Sequence, residues 1–220
     1  MFVESLEAPV LLDDDEHHLR RVLRVRDGDP ITLSDGGGRW RPAVLGGAVD
    51  PTGEIVTVEA PEPQITVGFV VPKGDRPNWI VQKLTELGVD RIQPLSSVRS
   101  VVRWEGERGE RHLQRLRSVA RSAAMQSRQV RIPVVEPLSE VSAARADGGA
   151  VLAHRDGIAP TLAHPVVFVG PEGGWDSTEL SPEAVRIGLG PSVLRAETAA
   201  IVAGATLSLL RSRLVFEHSA

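Results

Sequence analysis

Five residues, Gly170-Pro171-Glu172-Gly173-Gly174, directly follow the apolar run 166–169. Glycines around one carboxylate at the end of a strand let the backbone approach a ligand closely and adopt angles closed to other residues. Open α/β sheets bind ligands at that edge. No Gly-Lys-Ser/Thr follows, and the Gly-x-Gly-x-x-Gly spacing is absent, so the loop is neither a Walker loop nor a dinucleotide fingerprint. A tight turn is the bland alternative. A second apolar run, 184–189, leads into Gly190-Pro191-Ser192-Val193-Leu194-Arg195 and then a helix whose first turn holds Glu197 and Thr198. Capping alone accounts for an acid or hydroxyl at a helix start. Two Gly-Pro loops after two strands point together to a ligand site.

Charge is distributed unevenly. The chain carries a net −4, yet residues 99–131 hold nine arginines against three glutamates. A second basic run comprises Arg20, Arg21, Arg24 and Arg26 beside His17 and His18. Either run alone reads as a solvated helix face. Two of them in different halves favour an RNA footprint. Stacking platforms are few: aromatic residues make up 4% of the chain, with no Tyr, and Trp104 and Trp175 are the candidates.

With 41% hydrophobic and 25% charged residues, the chain can bury a core. The longest nearly uncharged stretch, 198–210, is too short to span a bilayer. The first residues show no secretory pattern. Cysteine is absent and the six histidines lack ligand-like spacing, which excludes disulfides and gives no metal motif. A cytoplasmic protein is expected.

These loops need elements to hold them. The periodicity predicts a helix over 17–25, with Leu19, Val22 and Leu23 inward and the preceding aspartates as cap. Strands are expected over 31–33 and 40–45 around the turn Asp35-Gly36-Gly37-Gly38, and over 54–59. Pro61-Glu62-Pro63 reads as a linker between a small β-barrel, residues 1–62, and an α/β domain, residues 63–220. In the second part strands alternate with helices, which favours a parallel sheet. Strands are expected over 65–71, 89–94, 150–153, 166–169 and 184–189. Helices should start near Pro77 and stop at Gly88, cover 107–127 with Leu113, Leu116, Val119 and Ala120 inward, and cover 197–213.

The chain resembles the 16S rRNA uracil-N3 methyltransferases of the SPOUT superfamily over nearly its whole length. The matching blocks are His18-Leu19 with Val22-Leu23-Arg24 and Gly28-Asp29, Gln82-Lys83 with Glu86-Leu87-Gly88-Val89, Arg99-Ser100-Val101-Val102, and Gln126-Ser127-Arg128. Gly170-Pro171-Glu172-Gly173-Gly174 and Leu189-Gly190-Pro191 with Leu194-Arg195-Ala196-Glu197-Thr198 complete the set. The family pattern has acidic residues where this chain has Val98 and Met125. The resemblance implies an α/β fold in which a PUA-like RNA-binding barrel precedes a SPOUT methyltransferase domain with a C-terminal trefoil knot.

It further implies S-adenosylmethionine as cofactor, 16S rRNA or the small ribosomal subunit as partner, a homodimer, and neither membrane nor metal. The implied cofactor residues are Leu152, His154, Gly170, Pro171, Glu172, Gly173, Gly174, Leu189, Gly190, Val193, Leu194 and Thr198. Gly173 is where a branched side chain is expected to block the ligand. Arg195 is expected to stabilise a uracil anion, and Glu172 and Glu197 are candidate bases. Arg20, Arg24, Arg99, Arg103 and Arg128 are the expected RNA contacts. The alternatives are a SPOUT enzyme acting on a tRNA ribose and a non-catalytic RNA-binding factor of ribosome assembly.

Overall fold

The computed structural model describes residues 1–146, 149–180 and 184–216, with the side chain of His18 left aside. Two compact units emerge: Met1–Ala60 with Ala124–Ile132, and Pro61–Ala123 with Pro133–Ala220.

In the first unit, β1 (Pro30–Ser34) and β2 (Arg39–Leu45) form an antiparallel hairpin. The turn between them places Gly36 and Gly38 at φ of 73° and 107°, which only glycine adopts freely. β3 (Val49–Pro51) and β4 (Val56–Thr57) both pair with β2, completing a four-stranded sheet. Inward residues of the alternating strands, Leu33 and Ala43, close a core with Val3 and Leu6. The expected strand over 54–59 is therefore only its central pair, and β3 carries the other antiparallel contact.

The segment after residue 124 joins this unit by local hydrogen bonds. The Gly38 amide donates to the Val130 carbonyl at 3.0 Å and the Ile132 amide to the Gly36 carbonyl at 2.9 Å. The Ser34 hydroxyl donates to the Val130 carbonyl at 2.9 Å, and the Arg131 guanidinium reaches the carbonyls of Gly37 and Val58.

The helix predicted over 17–25 is displaced. α1 occupies Asp13–His17, so the aspartates are helical rather than capping. One wider turn with i→i+5 bonding follows over His18–Val22. That turn breaks the 3.6-residue period on which the inward assignment rested. Leu19 is buried at 3% exposure, whereas Val22 and Leu23 are 62% and 55% exposed.

The second unit is a parallel sheet. β5 (Thr66–Val70), β6 (Arg91–Ser96), β7 (Val134–Val135), β9 (Val151–Ile158), β10 (Val166–Val169) and β11 (Arg186–Ile187) run in the order β11-β9-β10-β5-β6-β7, and β8 (Ser139–Glu140) also pairs with β6. Every pairing is parallel. The central strands read as apolar runs because both faces are covered. Gly68 permits this closeness, since a Cβ there would lie 2.5 Å from the Phe168 ring.

α2 (Arg76–Glu86) begins with Pro77 in its first turn, and α3 (Gly106–Gln126) buries Leu113, Leu116 and Ala120, with Val119 only partly covered. α4 (Val141–Ala146) is a short addition that the periodicity did not signal. α5 (Ala196–Arg211) packs on α2, β5 and β10. Its Gly204 meets α2 so closely that a Cβ would sit 2.6 Å from Leu84. The apolar face of α5 is thus covered within its own unit. Two strands differ from expectation: β9 is twice the predicted length, and the run 184–189 pairs only at Arg186–Ile187. Among the described residues no helix is long and apolar enough to cross a membrane.

Candidate active site

β10 delivers the chain to the glycine loop, and β9 runs beside it. Together with the loop after β11 and the start of α5 they enclose a cleft of about 320 Å³. Ala153 and His154 line it from β9, Gly170, Pro171, Glu172 and Gly174 from the glycine loop, and Leu189, Gly190, Val193 and Leu194 from the later loop. The two Gly-Pro loops therefore do converge.

Trp175 forms the wall beneath Gly170. It is 7% exposed, belongs to the core with Leu152 and Phe168, and its indole Nε1 donates to the Ala153 carbonyl at 3.0 Å. Its ring is an anchor, not an open stacking platform. A Cβ on Gly170 would lie 2.8 Å from that ring, so the tryptophan already requires glycine there. Gly174 sits at φ 74° and Gly190 at φ 139°. Gly173 has neither constraint: its φ is ordinary and a Cβ would meet nothing within 4 Å. The steric and backbone demands made by the protein itself thus fall on the neighbouring glycines, and Gly173 leaves open space beside the loop.

Three further residues of the expected site are placed as follows. Leu152 is fully buried, so it supports the cleft from below. Thr198 is exposed on the first turn of α5 and does not line the cleft. Arg195 occupies the extended residue before α5, is exposed, and makes no side-chain hydrogen bond or ion pair to a described residue.

Glu172 and Glu197 share one partner that sequence reasoning missed. Arg76, at the first position of α2, ion-pairs with Glu172 and lies 3.5 Å from Glu197. Residues about 100 positions apart in sequence thereby meet around one guanidinium. The hydrogen bond to Glu172 in the first place, and the charge of Glu197, push the Arg76 pKa above its ordinary value. A signal did exist: a cation in the first helical turn opposes the helix dipole and calls for a compensating partner.

Arg99 acts on the same loop. Its Nη1 donates to the Gly173 carbonyl at 2.9 Å and its Nε lies 3.4 Å from Asp176. The Thr178 amide first, then the Thr178 hydroxyl and Arg99, hold the Asp176 carboxyl below the ordinary carboxylate range. Buried Glu179, also missed, accepts from the Ser97 hydroxyl and the Val98 amide at 3.0 Å each and from the Asp176 amide at 3.1 Å. These bonds tie the glycine loop to the end of β6. Arg99 is therefore engaged by protein.

Arg20 is also engaged. It bonds Glu16 at 2.8 Å, Asp27 at 2.7 Å and the Gly46 carbonyl at 2.6 Å, all within the first unit. Arg24 and Arg128 are exposed at positive φ, 55° and 57°. Arg103 is exposed and lines a second hollow of the second unit.

A parallel sheet with a ligand cleft formed by loops beyond its strands, accompanied by a small antiparallel unit, defines the class, and residues 59–208 match the family described as RNA methyltransferase domain. Residues 11–59 match the RNA methyltransferase PUA domain. The chain is 36% identical to ribosomal RNA small subunit methyltransferase E of Mycobacterium bovis over 94% of this chain and 88% of that one. A crystal structure of ribosomal RNA small subunit methyltransferase E from Neisseria gonorrhoeae bound to S-adenosyl methionine is similar with a TM-score of 0.77, 31% identity and 90% coverage of both chains. A probable rRNA-methyltransferase from Porphyromonas gingivalis is similar with a TM-score of 0.81 and 26% identity, covering 97% of this chain and 98% of that one. The chain belongs to the ribosomal RNA small subunit methyltransferase E family.

Proposed function

We propose that this protein transfers the methyl group of S-adenosylmethionine to N3 of a uracil in 16S rRNA of the small ribosomal subunit. The carrying observation is the cleft that both Gly-Pro loops build at the sheet edge, in a chain 31% identical to a relative bound to S-adenosyl methionine. The fit is chemical as well as topological: apolar Val193, Leu194 and Leu189 suit the methylene groups and the adenine ring of the cofactor, while glycine backbone supplies polar groups at close range. When bound, the cofactor supplies an electrophilic methyl on sulfur.

The residues of the chain do the rest. The loops hold the reactants in contact, and positioning of this kind lowers barriers by roughly 7–11 kcal/mol in favourable cases. Uracil N3 carries a proton, so its anion needs stabilising. Arg195, a cation without a partner among the described residues and next to the cleft-lining Leu194 and Ala196, is our choice for that role. Glu172 and Glu197 already share Arg76, which ties both carboxylates to the first turn of α2. We assign them to holding the glycine loop against α2 and α5.

Arg195→Ala should lower kcat by about 10²–10³ with an unchanged cofactor Kd, measured by methyl transfer and calorimetry. A retained kcat would remove Arg195 from the chemistry. Arg76→Ala should instead weaken cofactor binding by roughly tenfold, because a lost loop contact acts on the bound state. Arg76→Lys should recover part of that affinity, since lysine keeps the charge but not the fork geometry.

Under this reading, residues 1–62 bind RNA and 63–220 catalyse, with exposed Arg24, Arg103 and Arg128 as RNA contacts. A trefoil knot is supported by the sheet order, in which β11 lies outside β9 while α5 returns over β5 and β10. A homodimer is supported by exposed Leu209, Leu214, Val215 and Phe216. A cytoplasmic location follows from the substrate. The direct experiment maps methylated nucleosides in 16S rRNA from cells with and without the protein. Loss of one N3-methyluridine on deletion supports the reading, and unchanged 16S rRNA with loss of a tRNA ribose methyl group overturns it.

A further inference from the structure

The arginines of α3 do not all face open solvent. A hollow of about 490 Å³ lies between the turn before α2, the segment 101–104 and the first half of α3. Lys73, Arg103, Arg108 and Arg115 line it, against the single carboxylate of Asp75 among its lining residues. Arg115 lies 3.4 Å from Asp75. The side chains of Lys73, Arg103 and Arg108 make no hydrogen bond or ion pair to any described residue. Like charges gathered in a concave site raise the local potential, and an anion relieves it.

The hollow also has a flat wall. Trp104 and His112 stack with ring centroids 4.8 Å apart and planes 12° apart. The main chain of Trp104 lies so close to α3 that a Cβ on Gly109 would be 3.1 Å from its carbonyl carbon and oxygen. Glycine in the first turns of α3 therefore lets the segment seat there.

Guanidinium groups match phosphate in fork geometry, and aromatic faces accept unpaired bases; the two together are how proteins hold single-stranded RNA. The location is informative as well. Asp75 lines the hollow, and the next residue, Arg76, reaches Glu172 on the rim of the cofactor cleft. The hollow and the cleft thus flank one turn of the chain.

We infer that this hollow is a subsite for a nucleotide flanking the target uracil in an unpaired stretch of the substrate RNA. Lys73, Arg103 and Arg108 take its phosphate, and the Trp104–His112 wall takes its base. The inference rests on the RNA methyltransferase reading and adds a defined subsite to it.

The test uses the full chain, S-adenosylmethionine, and a uridine-containing oligoribonucleotide copied from small-subunit rRNA. Affinity for that RNA is measured against salt concentration, and cofactor affinity by calorimetry. The double variant Arg103→Glu with Arg108→Glu should bind RNA at least tenfold more weakly. Its slope of log affinity against log salt should fall by about 1, as expected when one or two phosphate contacts are lost. Cofactor affinity within about twofold of wild type establishes that the unit is folded. Trp104→Ala should lose roughly 5- to 100-fold in RNA affinity, and Trp104→Phe should retain most of it. Unchanged RNA affinity and slope in the double variant, with wild type binding normally, overturn the subsite. RNA binding by wild type without methyl transfer to rRNA would overturn the proposed activity, while the binding comparison still decides the subsite. No RNA binding by wild type would overturn both.

Discussion

Valine at position 170 should abolish cofactor binding and destabilise the second unit by about 2–4 kcal/mol. Overpacking a filled core costs typically about 1–3 kcal/mol, and a branched side chain against an aromatic ring lies at or above the upper end. A Cβ on Gly170 would lie 2.8 Å from Cε2, 3.0 Å from Cδ2 and 3.2 Å from Nε1 of Trp175. The indole is anchored on its core side and borders the cleft on the other, so a shift away from position 170 breaks core packing or fills the cleft. It packs with Val70, Leu95, Val141, Leu152 and Phe168, and its N–H is committed to the Ala153 carbonyl. Displacing it deforms both β9 and the glycine loop, the two walls of the cleft. Urea unfolding and calorimetry with S-adenosylmethionine measure the two effects. Gly173→Ala is the matched control, because a Cβ there meets nothing within 4 Å, and its stability should stay within about 0.5 kcal/mol of wild type. Wild-type cofactor affinity in Gly170→Val would mean that the cofactor binds elsewhere.

Asp90→Ala should cost about 3–5 kcal/mol, as removal of one partner from a buried ion pair does. Asp90 and Arg211 are 12% and 10% exposed in their side chains. The Asp90 carboxylate accepts from the Ile65 amide at 2.7 Å and from Arg211. Arg211 also donates to the Pro63 carbonyl at 3.1 Å and the Gly88 carbonyl at 2.7 Å. One pair therefore joins the chain entering β5, the turn before β6 and the last turn of α5. With alanine at 90 the guanidinium remains half-desolvated beside carbonyls alone. Asp90→Asn keeps an acceptor for Ile65 and should lose less than alanine does. A loss under about 1 kcal/mol for Asp90→Ala, the size of an exposed pair, would show that the pair is solvated in solution.

Local periodicity made much of the second unit legible. The run 166–169 is β10 to the residue, α2 starts in the turn that holds Pro77, and α5 differs from its predicted bounds by one residue at its start and two at its end. These segments follow from side-chain spacing and turn chemistry, which act over a few residues. The first helix of the first unit was less legible because one wider turn over His18–Val22 turned Val22 and Leu23 off the expected face. Short β7, β8 and α4 carry too few residues to show a period.

The amino-acid sequence by itself determined which chemistry was available: two Gly-Pro loops after two strands, an arginine before the last helix, and arginine runs in both halves. Tertiary structure alone decided how those groups are used. Glu172 and Glu197 look like free acids until Arg76 is found between them. Arg20 and Arg99 look like unpaired surface cations until Asp27 and the Gly173 carbonyl are found bonded to them. Gly170 looks reserved for a ligand until the ring of Trp175 is found against it. The physical reason is common to all three. Periodicity reports which way a side chain points along its own element, whereas ion pairs and steric limits depend on which distant segments the fold brings within a few ångströms.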